Sequence, residues 1–193
     1  MTGDGREESS RPTPSPGGKP ESQAANYVAE ETLRDGRRIT IRAQRPEDLE
    51  AIRSAARLTS ERTRYLRFFA PKKSLSESEV AFFMGPDFVD HVALMAFVEE
   101  SGRPVVVGGG RFIVVKPGTA EIAFFVVDAF HRLGIGSLLM RHLAILGRAA
   151  GLAEFVAEVL PENASMLGVF RKCGLPMTTR RSDGVIHVSL AFA

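Results

Sequence analysis

AEIAFFVVDAFHRLGIGSLLMR, residues 120–141, decides the fold. Ala120 to Val127 is apolar on both faces apart from Glu121, which predicts a strand in the middle of a sheet. Ile135, Leu138, Leu139, Leu143 and Leu146 recur at helical spacing, and Gly151 is placed to end that helix. Gly134 and Gly136 stand at the junction. A helix N-terminus carries about half a positive charge and several unpaired N–H groups. Glycine there lets the backbone approach an anion with no Cβ in the way. Strand, glycine-rich turn and helix together suit a phosphate. Two common phosphate loops do not fit. Leu139 stands where the dinucleotide fingerprint needs its third glycine, and no Gly-Lys-Ser/Thr follows. On the two glycines alone, plain turn chemistry is the alternative.

RITIRA at Arg38–Ala43 alternates as a strand. Pro46 opens a helix with Leu49, Ile52 and Ala56 as its buried stripe. ERTRYLRFF at 61–69 predicts a second helix, and Ser74 with Glu77 has capping-box spacing for a third. The period then changes to two. Strands are predicted over His91–Val98 and Val105–Val115, with Gly108, Gly109 and Gly110 marking a bulge or bend. With Ala120–Val127 they make an antiparallel meander. Glu154–Leu160 is a strand, Asn163 caps a helix that Gly174 ends, and Val185–Phe192 is the last strand. The expected fold class is α+β, a mixed, mostly antiparallel central sheet flanked by helices. Its order is β-α-α-α-β-β-β-α-β-α-β.

Residues 1–26 hold 4 of the 11 prolines and 4 of the 18 glycines, with no large apolar residue after Met1. Such a segment buries too little to offset its ordering entropy, so it reads as a disordered tail before one domain at 27–193. The 193 residues carry 25 Lys plus Arg against 23 Asp plus Glu, a net charge of +2 that demands no nucleic acid. One cysteine, Cys173, and four scattered histidines leave no zinc cage, so no metal is expected. The longest apolar runs are far shorter than the ~18–20 residues of a membrane span, and no secretory signal is present, which predicts a cytoplasmic protein with no membrane partner.

Residues 120–141 resemble the acetyl-CoA-binding motif of the GNAT acetyltransferase superfamily, with Asp128, Phe130, Gly134 and Gly136 on its positions. EVLPENASMLGVFRKCGL resembles the superfamily's next block through Asn163, Lys172 and Gly174, and the likeness covers residues 37–192. TRYLRFF at 63–69, together with EVLPENASML at 158–167, resembles more narrowly the acetyltransferase domain of bacterial protein-lysine acetyltransferases that act on acyl-CoA synthetases.

That resemblance implies an acetyl-CoA-dependent N-acetyltransferase working by direct attack of an amine in a ternary complex. The acceptor would be an exposed protein lysine, possibly on an acyl-CoA synthetase, or else a small amine. A non-catalytic acyl-CoA-binding module is the rival from another class. The state would be a monomer or homodimer. Glu121 matches the strand-borne base of the relatives, and its apolar neighbours would desolvate it, as suits that role. Glu158 on the next strand is the competitor. Phe125, Val126 and Val127 would offer backbone groups to the pantetheine, with the Val126 or Val127 N–H as oxyanion donor. His131, Arg132, Leu133, Gly134, Ile135, Gly136 and Ser137 would wrap the pyrophosphate, and Asn163 would bond the pantetheine. Arg64, Tyr65, Arg67 and Phe68 would wall the acceptor. Two positions depart from the family pattern. His131 replaces the usual Gln or Arg, and Phe170 replaces the tyrosine that many members use as general acid.

Overall fold

The structure, a computed structural model, describes residues 23–69 and 76–192. The strands are β1 (Val28–Thr32), β2 (Arg38–Ala43), β3 (His91–Glu100), β4 (Arg103–Lys116), β5 (Thr119–Val126), β6 (Glu154–Val159), β7 (Met177–Ser182) and β8 (Val185–Ala191). The helices are α1 (Leu49–Arg57), α2 (Glu61–Phe68), α3 (Glu77–Met84), α4 (Ile135–Ala149) and α5 (Ala164–Arg171). The strands form one sheet in the order β1-β2-β3-β4-β5-β6-β8-β7. Every pairing is antiparallel except β5 with β6. This is the expected α+β architecture with two strands added, β1 and β7.

Both added strands lie at the sheet edges and read VAEET and MTTRRS. Edge strands bury little and carry charge against aggregation, so the apolar alternation that marks an inner strand is missing from them. Residues 1–22 of the expected tail lie outside the described residues. Its last four residues form a turn that buries Ala24, so the packed domain reaches further back than residue 27.

α4 covers one face of the sheet. Leu139 and Leu143 are fully buried, and a Cβ on Gly110 would meet Leu143 at 2.9 Å and the Phe124 ring at 2.8 Å. Phe112 and Phe155 pack ring to ring at 5.4 Å beneath it. α3 lies on the opposite face, where Arg111 stacks on Phe83 at 4.4 Å. The bulge falls at Val107, one residue before the glycine triplet: Ala96 pairs with Gly108, and Phe97 with Val106. Gly109 instead serves close packing, since a Cβ there would lie 2.6 Å from the Phe125 ring. Two local expectations shift. Ala55 rather than Ala56 is the buried residue of α1, and the capping box of α3 is Ser76 with Glu79, while Ser74 lies outside the described residues.

Candidate active site

β5 and β6 pair over only three rungs, Thr119–Glu154, Ala120–Phe155 and Glu121–Val156. Beyond the third they part, and a groove of about 860 Å³ opens between them, bounded by α2, the loop at 128–137 and α5. Phe125, Val126, His131, Arg132, Gly134, Ile135, Gly136, Ser137 and Asn163 all line it.

Val127 and Leu133 do not. Val127 is buried and its N–H donates to the Val107 carbonyl at 2.9 Å. Leu133 packs on the core, and its carbonyl accepts from the Arg34 N–H at 3.2 Å. The Val127 bond also fixes the alternation along β5. Odd-numbered backbone groups face β4 and even-numbered ones face the gap. Of the two candidate oxyanion donors, Val127 is therefore spent in the sheet and Val126 is the one directed at the groove.

α4 begins at Gly134, whose φ of 97° is a left-handed conformation that glycine adopts without strain. No side chain caps this helix, and its first turn holds no acidic residue. No side chain takes the N–H groups of that first turn. The loop's own side chains behave differently from expectation. His131 donates through Nε2 to the Val126 carbonyl at 2.9 Å, so its ring is folded back onto the strand. The cation brought to the loop is Arg34, which donates to the Arg132 carbonyl at 3.2 Å and lies against Gly134. Sequence reasoning missed Arg34, because 98 residues separate it from Arg132 and nothing local marks it.

Asp128 joins this loop to α2. Its carboxylate accepts from the Ser60 N–H and hydroxyl, both at 2.7 Å, and from the Thr63 hydroxyl at 2.9 Å. Partial burial opposes its charge, but the Ser60 and Thr63 bonds outweigh it and hold the carboxyl below its ordinary range. Asn163 caps α5, accepting from the Met166 N–H at 3.1 Å, which leaves its amide NH₂ for the groove.

Glu121 stands on the last rung before the strands part. Its side chain is exposed rather than desolvated, because the cavity opens beside it. It borders both the groove and a second cleft of about 440 Å³ on the far side of β6. Glu158 and His187 share that second cleft, with Glu158 Oε1 3.5 Å from His187 Nδ1 and the Glu158 side chain 55% exposed. Both carboxylates thus reach the opening, but only Glu121 stands at the point of splay.

Of the expected acceptor wall, Arg67 and Phe68 line the groove. Arg64 and Tyr65 lie outside its lining. Arg64 is turned to the Thr59 carbonyl, and Tyr65 is 39% exposed. Phe170 is fully buried, 6.2 Å from the Phe124 ring, and brings no hydroxyl to the groove. Lys172 borders the groove as well. Among the described residues, no group of three or more His, Cys, Asp or Glu could hold a metal ion. No described helix is long and apolar enough to cross a membrane.

Residues 55–175 match the model of the acetyltransferase (GNAT) family. An acetyltransferase of Pseudomonas aeruginosa is 32% identical over 162 residues, 81% of this chain and 86% of that protein. The acetyltransferase Pat of Mycolicibacterium smegmatis is 29% identical over 158 residues, 80% of this chain but only 46% of that protein. Among solved structures, the GNAT domain of S. lividans PAT superposes with a TM-score of 0.77 at 34% identity, covering 86% of this chain and 97% of that one. The YncA structure from Salmonella typhimurium, solved with acetyl-CoA, shares the fold at a TM-score of 0.64 and 19% identity, over 80% of this chain and 94% of that one. The groove at the β5–β6 splay, its uncapped helix and these likenesses agree: the chain belongs to the acetyltransferase (GNAT) family, whose enzymes transfer an acetyl group from acetyl-CoA.

Proposed function

We propose that this chain acetylates the side-chain amine of a protein lysine by direct attack within a ternary complex. The exposed carboxylate of Glu121, at the rung where β5 and β6 part, carries the reading. An amine arriving there meets a base at the mouth of the donor groove. The likeness to the S. lividans PAT domain and to Pat supports a protein as acceptor. An acyl-CoA synthetase is a partner worth testing first, and a cytoplasmic site of action fits the single cysteine.

In this reading the first-turn N–H groups of α4, with Arg34 beside them, hold the pyrophosphate. The backbone edge of β5 holds the pantetheine arm, with the Asn163 amide opposite. Glu121 takes the ammonium proton, directly or through one water. The freed lone pair attacks the thioester carbon, and the Val126 N–H stabilises the oxygen as charge grows on it. The C–N bond forms, the C–S bond breaks, and the second proton of the nitrogen passes to water. Phe170 has no proton to give, so the departing sulfur is protonated from water or leaves as thiolate. Glu158 is the alternative base.

The test is release of free thiol from acetyl-CoA in the presence of lysine peptides, folded acyl-CoA synthetase and small amines. Thiol release coupled to lysine acetylation, lost in Glu121→Ala, supports the proposal. Acetyl-CoA binding without turnover across that panel would instead make the chain an acyl-CoA-binding module.

A further inference from the structure

Two guanidinium groups lie near Glu121, Arg67 in the groove lining and Arg111 outside it, and among the described residues neither has a carboxylate within 4 Å. Arg67, on the last turn of α2, lines the groove and lies 5.1 Å from the Phe68 ring centre. Arg111 projects from β4 between Ala93 and Ala123, its register partners, and the small side chains leave it room. Its hydrogen bonds go only to neutral groups, the Phe83 carbonyl at 3.3 Å and His91 Nε2 at 3.1 Å. Burial, with Arg67 adding to it, draws Arg111 down to about 9. Burial likewise lowers Arg67, and Glu121 offsets this only in part.

Desolvated like charges without counterions are costly unless something pairs with them. The CoA phosphates are poorly placed to do so. Their expected site is at Gly134–Gly136, beyond Asp128, and Glu121 lies seven residues back along the strand, roughly 20 Å away. Glu121 supplies one negative charge against two positive ones, and loses it when it takes the proton of the amine.

We propose that Arg67, with Arg111 behind it, forms a carboxylate subsite, and that the acceptor presents a carboxylate to it while its amine stands at Glu121. The inference rests on the reading of Glu121 as the point of amine attack. Such a carboxylate comes either from an acidic residue beside the target lysine or from a free amino acid. Its arrival compensates the two guanidinium groups at the moment Glu121 becomes neutral.

The test uses two matched pairs of acceptors: a lysine peptide with a neighbouring Asp or Asn, and an amino acid or its carboxamide. In the wild-type protein, kcat/KM should favour the carboxylate member of one pair by about tenfold, and which pair responds identifies the source. Arg67→Met should bring that ratio close to one, and Arg67→Lys should keep part of it. A wild-type ratio of one, or a preference that survives Arg67→Met, overturns the subsite. Should no acceptor turn over, the Tm of the CoA-bound protein is measured with the acetylated Asp and Asn peptides. An Arg67-dependent shift with the Asp peptide alone then supports the subsite while the transfer reading fails. Equal shifts reject both.

Discussion

Glu121 and Val156 form the final parallel rung between β5 and β6, and beyond them the two strands are no longer paired. A carboxylate at this point is held by a paired backbone on one side and meets two cavities on the other. The position combines a rigid support with access, which is what a proton acceptor for an incoming amine needs.

Glu121→Gln keeps the size of the side chain and removes the base. It should lower kcat by about 10²–10⁴ while leaving the Kd for acetyl-CoA close to that of the parent. Glu158→Gln should change kcat by less than about tenfold, because Glu158 lies beyond the splay and pairs with His187. Thiol-release kinetics and a binding isotherm on both variants check the pair. A larger loss in Glu158→Gln than in Glu121→Gln would exchange their roles.

Gly134→Ala places a Cβ at a φ of 97°, which costs about 1–3 kcal/mol of backbone strain. The chain can relieve that strain only by tilting the first turn of α4, so the Kd for acetyl-CoA should rise by about tenfold or more. Titration calorimetry reads this directly.

Asp128→Asn weakens three hydrogen bonds that tie α2 to the loop at 128–137, and should lower Tm by several degrees near neutral pH. The folded pKa of Asp128 lies below the unfolded value of about 3.9, so its contribution is full above that pH and fades as pH falls through the folded value. The Tm gap between parent and variant should therefore hold at pH 5–8 and shrink toward pH 3. A gap constant with pH would mean that the carboxylate's charge is irrelevant to the link.

Gly109→Ala drives a methyl to within 2.6 Å of the Phe125 ring and 2.9 Å of the Met95 sulfur. Overpacking of this kind costs about 1–3 kcal/mol. Phe125 also borders the groove, so denaturant midpoint and acetyl-CoA affinity should fall together. Loss of stability with unchanged affinity would show that the ring moves without disturbing the donor site.

Much of the fold was legible because short-range signals carried it. The apolar run of β5, the glycines at 134 and 136 and the Asn163 cap are local chemistry, and each performs locally as its residue type requires. β1 and β7 were illegible, since a polar edge strand is defined by its partner and not by its own pattern. The site divides the same way. The groove's floor and loop follow from adjacent residues, whereas the Asp128–Ser60 link and the approach of Arg34 span 68 and 98 residues.

By itself the sequence determined the strand–glycine–helix element that shapes the loop at 128–137, and the residue types available near it. Tertiary structure decided what each of them is free to do. Pairing with Val107 removes the Val127 N–H and leaves Val126. The three-rung limit of β5 with β6 exposes Glu121, which an apolar strand alone would bury. Packing of α2 over β5 and of α3 over β4 brings Arg67 and Arg111 together with, among the described residues, no carboxylate within 4 Å of either. Hydrogen-bond partners and neighbouring charges are set by segments far apart in the chain, so no local reading of residue type contains them.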